Sequence, residues 1–88
     1  MKVSVSKPSK GDLEKLGVFS WPVWTCGPSR FAWSYDETET CYILEGRVTV
    51  STPEGDVEFG AGDLVIFQPG LSCTWTVHEA VRKHYEFS

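Results

Sequence analysis

The chain has 88 residues, the size of one domain, so we treat residues 1–88 as a single domain. Twelve acidic and eight basic residues give a formal net charge of −4, and the basic residues cluster only at 82–84, which argues against a nucleic-acid-binding protein. The longest aliphatic stretch, 64–67, is far too short to span a membrane, and we therefore expect no membrane association.

The three cysteines, Cys26, Cys41 and Cys73, are an odd number, and the N-terminus lacks an apolar segment of signal-peptide length. A disulfide framework is not expected, and a reducing compartment fits better. We expect the cytoplasm, or the plastid stroma if a transit peptide has been removed. Because a domain this small buries only about two-thirds of its unfolded surface, we also expect a homodimer.

The first twenty residues predict a short strand followed by a helix or turn. Val3 and Val5 alternate with polar residues, as in a strand. A short helix is predicted with Asp12 as its N-cap and Gly17 at its C-terminal end. From Trp21 onward the sequence predicts only strands and turns.

Seven strands are predicted in the remainder, at 30–35, 40–44, 47–51, 57–59, 64–67, 73–77 and 81–87. Turns are predicted between them, at 36–38, Glu45-Gly46, 53–56, 60–63 and Pro69-Gly70. Short strands separated by glycine and proline turns are typical of an all-β sandwich or barrel. A barrel would also remove the exposed edges of a small sheet.

Two segments resemble the paired motifs of the cupin family. Glu39 is followed by six residues and then Gly46, as in the second half of the first motif. The second motif is matched from Gly62 to Gly70, with its proline one place later than usual. The resemblance implies an all-β fold, a single cupin-type jelly-roll β-barrel with one short N-terminal helix or turn.

Two longer segments narrow this resemblance. Trp24-Thr-Cys-Gly-Pro-Ser-Arg-Phe31 and Glu39-Thr-Cys-Tyr-Ile-Leu-Glu-Gly46 resemble the small single-domain cupins grouped with the cupin domain of (S)-ureidoglycine aminohydrolase. The likeness extends over about residues 21–87.

The positions that carry metal ligands in that family have other residues here. Metal-binding cupins use two histidines and a glutamate from the first motif and one histidine from the second. Trp33, Tyr35 and Cys73 stand at the histidine positions, and only Glu39 keeps its ligand type. We therefore expect no cofactor; a transition metal held by Glu39, Cys73 and a repositioned histidine is a minor alternative.

Strand alternation predicts a partly apolar pocket inside the barrel, because alternate side chains of a strand share one face. The candidate lining residues are Trp33, Tyr35, Glu39, Cys41, Cys73 and Trp75. In the alternative interpretation the aromatic rings simply fill the barrel as core. Glu39 is then hydrogen-bonded to Tyr35 or to backbone, and the two cysteines act as small apolar residues.

Three functions remain open from the sequence. The first is a binding module that holds a small organic molecule in the barrel. The second is an enzyme on small nitrogen-containing or carbonyl metabolites, with Glu39, Tyr35 and Cys73 as candidate catalytic residues. The third is a dimeric structural or interaction module in a larger complex.

The two histidines enter these alternatives in different ways. His84 is the candidate base for Cys73, although its position relative to that thiol does not follow from the sequence. If Tyr85 points inward, alternation directs His84 toward solvent or a partner. His78 is expected in a solvated loop.

Overall fold

The computed structural model describes residues 2–88 and is built almost entirely from antiparallel strands. Its elements are, in chain order, β1 (Val3–Ser6), α1 (Lys10–Leu16), a 3₁₀ turn (Val18–Ser20), β2 (Val23–Cys26), β3 (Ser29–Ser34), β4 (Glu39–Thr52), β5 (Gly55–Gly60), β6 (Leu64–Phe67) and β7 (Ser72–Phe87). The all-β fold with one short N-terminal helix is confirmed.

The N-terminal helix begins before the predicted cap. Ser9 is the N-cap: its Oγ accepts a hydrogen bond from the Asp12 amide, and the Asp12 carboxylate accepts one from the Ser9 amide, each at 3.2 Å. Asp12 is therefore the third residue of a capping box, and its assignment as N-cap is wrong because the serine three residues earlier takes that role. Gly17 ends the helix at φ 72°, as predicted.

Two long strands, β4 and β7, form the centre of the sheet. The turn predicted at Glu45-Gly46 is wrong, and so is the division of residues 73–87 into two strands, because both segments continue without a break. The β4–β7 register shifts between Ile43 and Val48. Gly46 lies in this bulge at φ 105°, and a Cβ there would come within 2.5 Å of the Ala80 carbonyl oxygen. Gly46 therefore allows the bulge in β4, because a residue with a Cβ would not fit at this position.

The β4–β7 pair carries different neighbours on its two sides. On the outer side of β4, the first half pairs with β6, which in turn pairs with β1, and the second half pairs with β5. On the outer side of β7, the first half pairs with β3 and the second half with β2. Inward side chains from all of these strands meet in one interior.

The packed part of that interior lies on the β4, β5 and β6 side. Val48, Val50, Phe59, Val65 and Phe67 are at most 2% exposed. Among residues 2–88, no helix has the length and hydropathy needed to cross a membrane.

Candidate functional site: an aromatic cavity with a buried ion pair

A cavity of about 400 Å³ lies on the other side of the interior, beside β2, β3 and β7. Its walls are aromatic rings from these strands, namely Trp24, Phe31, Trp33, Trp75, Tyr85 and Phe87. Trp33 and Phe87 are 50% and 43% exposed, so their rings reach the protein surface. The volume falls within the range of about 300–1,000 Å³ that is usual for small-molecule sites.

Strand register explains why these rings meet. Phe31 on β3 is opposite Trp75 on β7, and Trp24 on β2 is opposite Lys83 on the same strand. The Phe31 and Trp75 rings stack at 15° with centroids 5.9 Å apart, and Trp24 meets Trp75 edge to face at 6.1 Å. Cross-strand aromatic pairs of this kind hold one another in place.

Three polar side chains of the cavity form one connected cluster. Tyr35 donates its hydroxyl hydrogen to Glu39 Oε1 at 2.9 Å, and Lys83 Nζ donates to Glu39 Oε2 at 2.8 Å. The side chains of Lys83 and Glu39 are only 6% and 5% exposed. The cluster is thus a buried ion pair with a tyrosine attached, set among apolar rings.

Lys83 also lies against the aromatic walls. Its Nζ is 4.7 Å from the centroid of a Trp75 ring, 5.0 Å from that of Trp24 and 5.9 Å from that of Tyr85. These distances are those of cation–π contacts. Sequence reasoning missed Lys83, although a signal was present: with Tyr85 pointing inward, alternation directs Lys83 inward as well.

Four of the six residues predicted for the pocket line this cavity, and the two cysteines do not. Trp33, Tyr35, Glu39 and Trp75 are lining residues. Cys41 is completely buried outside the lining. Cys73 also lies outside it, with its thiol 3.6 Å from the Trp33 carbonyl oxygen.

Burial raises the pKa values of one phenol and two thiols in and beside the cavity. It raises the pKa of Cys41 to about 12, and it raises the pKa of Cys73, with a smaller contribution from the negative charge of Glu39. The pKa of Tyr35 is also raised, first by burial and then by the charge of Glu39 and the hydrogen bond to it. Neither cysteine has the lowered pKa of a nucleophilic thiol.

Both histidine expectations need correction. His84 does not face solvent: it is 9% exposed, its Nδ1 donates to the Trp21 carbonyl oxygen at 2.9 Å, and its ring meets Phe19 edge to face. It lies on the face of β7 opposite the cavity, so it does not serve Cys73 as a base. His78 lies within β7 rather than in a loop, and its exposed Nε2 is 2.8 Å from Thr49 Oγ1.

Comparison with known proteins places this fold in a family. Residues 13–85 match the EutQ-like cupin domain family. The chain belongs to that family. In this EutQ-like cupin domain, the segment from Glu39 to Gly46 that resembles the first cupin motif lies within the matched residues. The narrower (S)-ureidoglycine aminohydrolase group remains an interpretation.

Solved structures agree with this assignment. A DUF861 family protein from Thermotoga maritima is similar at a TM-score of 0.95 and 48% sequence identity, over 98% of this chain and 99% of that one. A DUF861 family protein of unknown function from Pseudomonas syringae pv. tomato is 31% identical at a TM-score of 0.68, over 75% of this chain and 29% of that one. The Clostridium difficile EutQ protein is 18% identical over 74% of this chain and 52% of that one at a TM-score of 0.68, which shows the fold alone. No curated protein matches the sequence.

The residues of this EutQ-like cupin domain do not fit the metal that the cupin fold implies. Within residues 2–88, no group of three or more His, Cys, Asp or Glu side chains could hold a metal ion. Glu39 already has a hydrogen bond on each carboxylate oxygen, and one of its partners is the Lys83 ammonium. A dication beside this carboxylate would therefore also face the positive charge of Lys83.

Proposed function

We propose that this EutQ-like cupin domain is a binding module that holds a small organic molecule in the aromatic cavity beside β7. The observation that carries the proposal is the cavity itself, about 400 Å³ in volume and walled by aromatic rings around one polar cluster. Mostly apolar walls with a few convergent polar groups are the usual composition of a small-molecule site.

The exposure of the rings supports this proposal over a purely structural role. A ring that only filled the core would be covered by its neighbours, as Phe67 is, whereas Trp33 is half exposed at the cavity. Apolar surface left in contact with water forgoes about 25 cal/mol per Å² of burial free energy. A flat ligand between the rings would recover part of that free energy.

The proposal can be tested by filling the cavity from one strand. Trp24 and Cys26 of β2 line it, whereas Thr25 between them points to the opposite face. We expect Cys26→Phe to occupy the space and Thr25→Phe to leave it open. Indole and phenol serve as probes, and binding is measured as an increase in Tm together with amide chemical-shift changes on β2, β3 and β7.

The expected result is binding by the wild type and by Thr25→Phe, with at least tenfold weaker binding by Cys26→Phe. The same rise in Tm in both variants would mean that the probes bind elsewhere, and the proposal would fail. A wild type that responds to neither probe would also overturn it.

Catalysis remains a second candidate, favoured by the contact between Tyr35, Glu39 and Lys83. These groups form a chain along which a proton could pass at the cavity. Small nitrogen-containing or carbonyl metabolites are the substrates to examine, as the resemblance to the (S)-ureidoglycine aminohydrolase group suggests. Turnover that survives Glu39→Gln would remove this candidate, and Cys73 is the less favoured catalytic partner because its pKa is raised.

The expected homodimer and the role as an interaction module stay predictions. Light scattering on the purified chain would measure its mass directly, and a mass of one chain at high concentration would contradict both. The cytoplasmic or plastid location likewise stays a prediction.

A further inference from the structure

The ammonium group of Lys83 has more donors than its surroundings have acceptors. A lysine ammonium carries three N–H donors. Among residues 2–88 it has one hydrogen-bond acceptor, Glu39 Oε2 at 2.8 Å. The group is nevertheless buried and lines the cavity. Its other contacts among these residues are with the faces of aromatic rings, so no second oxygen or nitrogen acceptor takes the remaining donors, and a molecule in the cavity can supply one.

The aromatic rings around this ammonium form a cage that is already filled. Trp75, Trp24 and Tyr85 all lie within 5.9 Å of Nζ. Cages of this kind bind ammonium ligands in other proteins. Here the chain's own lysine is the occupant, and a second cation would meet its positive charge.

The cluster as a whole carries no net charge, since one ammonium faces one carboxylate. A ligand carboxylate hydrogen-bonded to Lys83 would bring a second negative charge close to Glu39 and leave the cavity with an uncompensated anion. In an apolar cavity that costs more than the added hydrogen bond returns. A neutral carbonyl oxygen accepts the same hydrogen bond without that penalty.

We propose that the cavity selects flat, uncharged molecules with a carbonyl oxygen, such as aryl ketones, amides and lactams, and that Lys83 Nζ donates to that oxygen. The inference rests on the proposed binding function and names its ligand class. It also gives Lys83 a role, because its ammonium is the fixed positive charge of a cavity whose residues do not fit a metal ion.

Four compounds with one ring test the preference in the wild-type protein. Acetophenone carries the carbonyl, α-methylstyrene replaces that oxygen with a CH₂ group, and benzoate and benzylammonium carry opposite charges. We expect acetophenone to bind about tenfold more tightly than α-methylstyrene, because a hydrogen bond from a charged donor is added. Both charged compounds should bind more weakly than acetophenone. Dissociation constants are obtained from chemical-shift titrations.

Substitution of the lysine should change this order. In Lys83→Met the carbonyl preference should disappear, and benzylammonium should become the tightest ligand, because Glu39 then faces an empty cage. Glu39→Gln/Lys83→Met is the matched control: with both charges removed, the preference for benzylammonium should disappear, and only the weaker carbonyl preference of a neutral amide donor should remain. If Lys83→Met does not fold, the double variant still tests the carbonyl preference, since it buries no unpaired charge.

The outcomes separate the two proposals. Equal binding of acetophenone and α-methylstyrene by the wild type would show an occupied cavity without carbonyl selection, and only the ligand class would be overturned. Tighter binding of benzoate or benzylammonium than of acetophenone would likewise overturn only the ligand class. If none of the four compounds binds, the binding function itself fails together with the inference.

Discussion

Strands β6 and β3 flank the central β4–β7 pair on opposite sides, and they are buried to very different degrees. Three of the four residues of β6 are buried, at Leu64, Val65 and Phe67. No residue of β3 is buried, and Phe31 is its one half-buried side chain. Both strands carry large apolar side chains toward the interior, yet one side closes into a packed core and the other surrounds an open cavity.

The difference shows that the packed side contributes close packing to stability, whereas the open side leaves space for a ligand. On the packed side, Phe67 stacks on Tyr35 at 4.8 Å and contacts Phe59 and Trp75. On the open side, the rings surround the Glu39–Lys83 pair instead of covering one another completely. Sites that bind ligands commonly depart in this way from the best-packed arrangement.

Truncation of one aromatic residue on each side gives the largest contrast. Phe67→Ala should lower the free energy of unfolding by about 3–5 kcal/mol, because it leaves a cavity within close packing. Trp33→Ala should cost less than half as much, since half of that side chain is already in water. Urea denaturation measures both values. Equal losses would mean that the open side contributes to stability as much as the packed side.

The ion pair should show the next largest effect. Lys83→Met should destabilise the fold by about 3 kcal/mol, because it leaves the Glu39 carboxylate buried without its partner. Glu39→Gln/Lys83→Met should regain most of that loss, since the amide can still accept the hydrogen bond from Tyr35. The same denaturation experiment decides this. A double variant as unstable as the single one would show that the lysine contributes through its packing rather than its charge.

Much of the fold was predictable because it depends on local spacing. The six residues between Glu39 and Gly46, and the turns around Gly62 and Gly70, identify the architecture without any knowledge of pairing partners. The error at Glu45-Gly46 arises because a glycine with positive φ is equally suited to a turn and to a bulge. Only the long-range pairing of β4 with β7 shows that Gly46 lies in a bulge rather than in a turn.

The candidate site was less predictable, for a related reason. Glu39 and Lys83 are 44 residues apart, and their contact depends on the register between β4 and β7, which local spacing does not determine. Strand alternation identified Trp33, Tyr35 and Trp75 as inward residues. It could not separate a packed interior from an open one, because both have the same alternating pattern.

The smallest effect concerns Cys41, a buried thiol of the packed core. Cys41 is completely buried, and burial raises its pKa from an ordinary 9.0 to about 12. A pKa raised in the folded state gives stability that is fully present below pH 9 and is lost as the pH rises toward 12. The wild type should therefore lose about 1 kcal/mol between pH 9 and pH 10 relative to Cys41→Ala.

Comparison with variants isolates this contribution, because every other titrating group is common to the wild type and the variants. Val50→Ala is the matched control, because it truncates a completely buried side chain that carries no titrating group, and its free energy of unfolding should run parallel to that of the wild type over the same pH range. The measurement is urea denaturation at half-unit steps from pH 8 to pH 10.5. If the free energy of unfolding of Cys41→Ala also runs parallel to that of the wild type, the pKa of Cys41 is not raised in the folded state. Water then reaches this thiol, and the packed side is less tightly packed than its burial indicates. If Val50→Ala diverges instead, truncation on the packed side alters the alkaline response without removing a thiol, and the loss does not belong to Cys41.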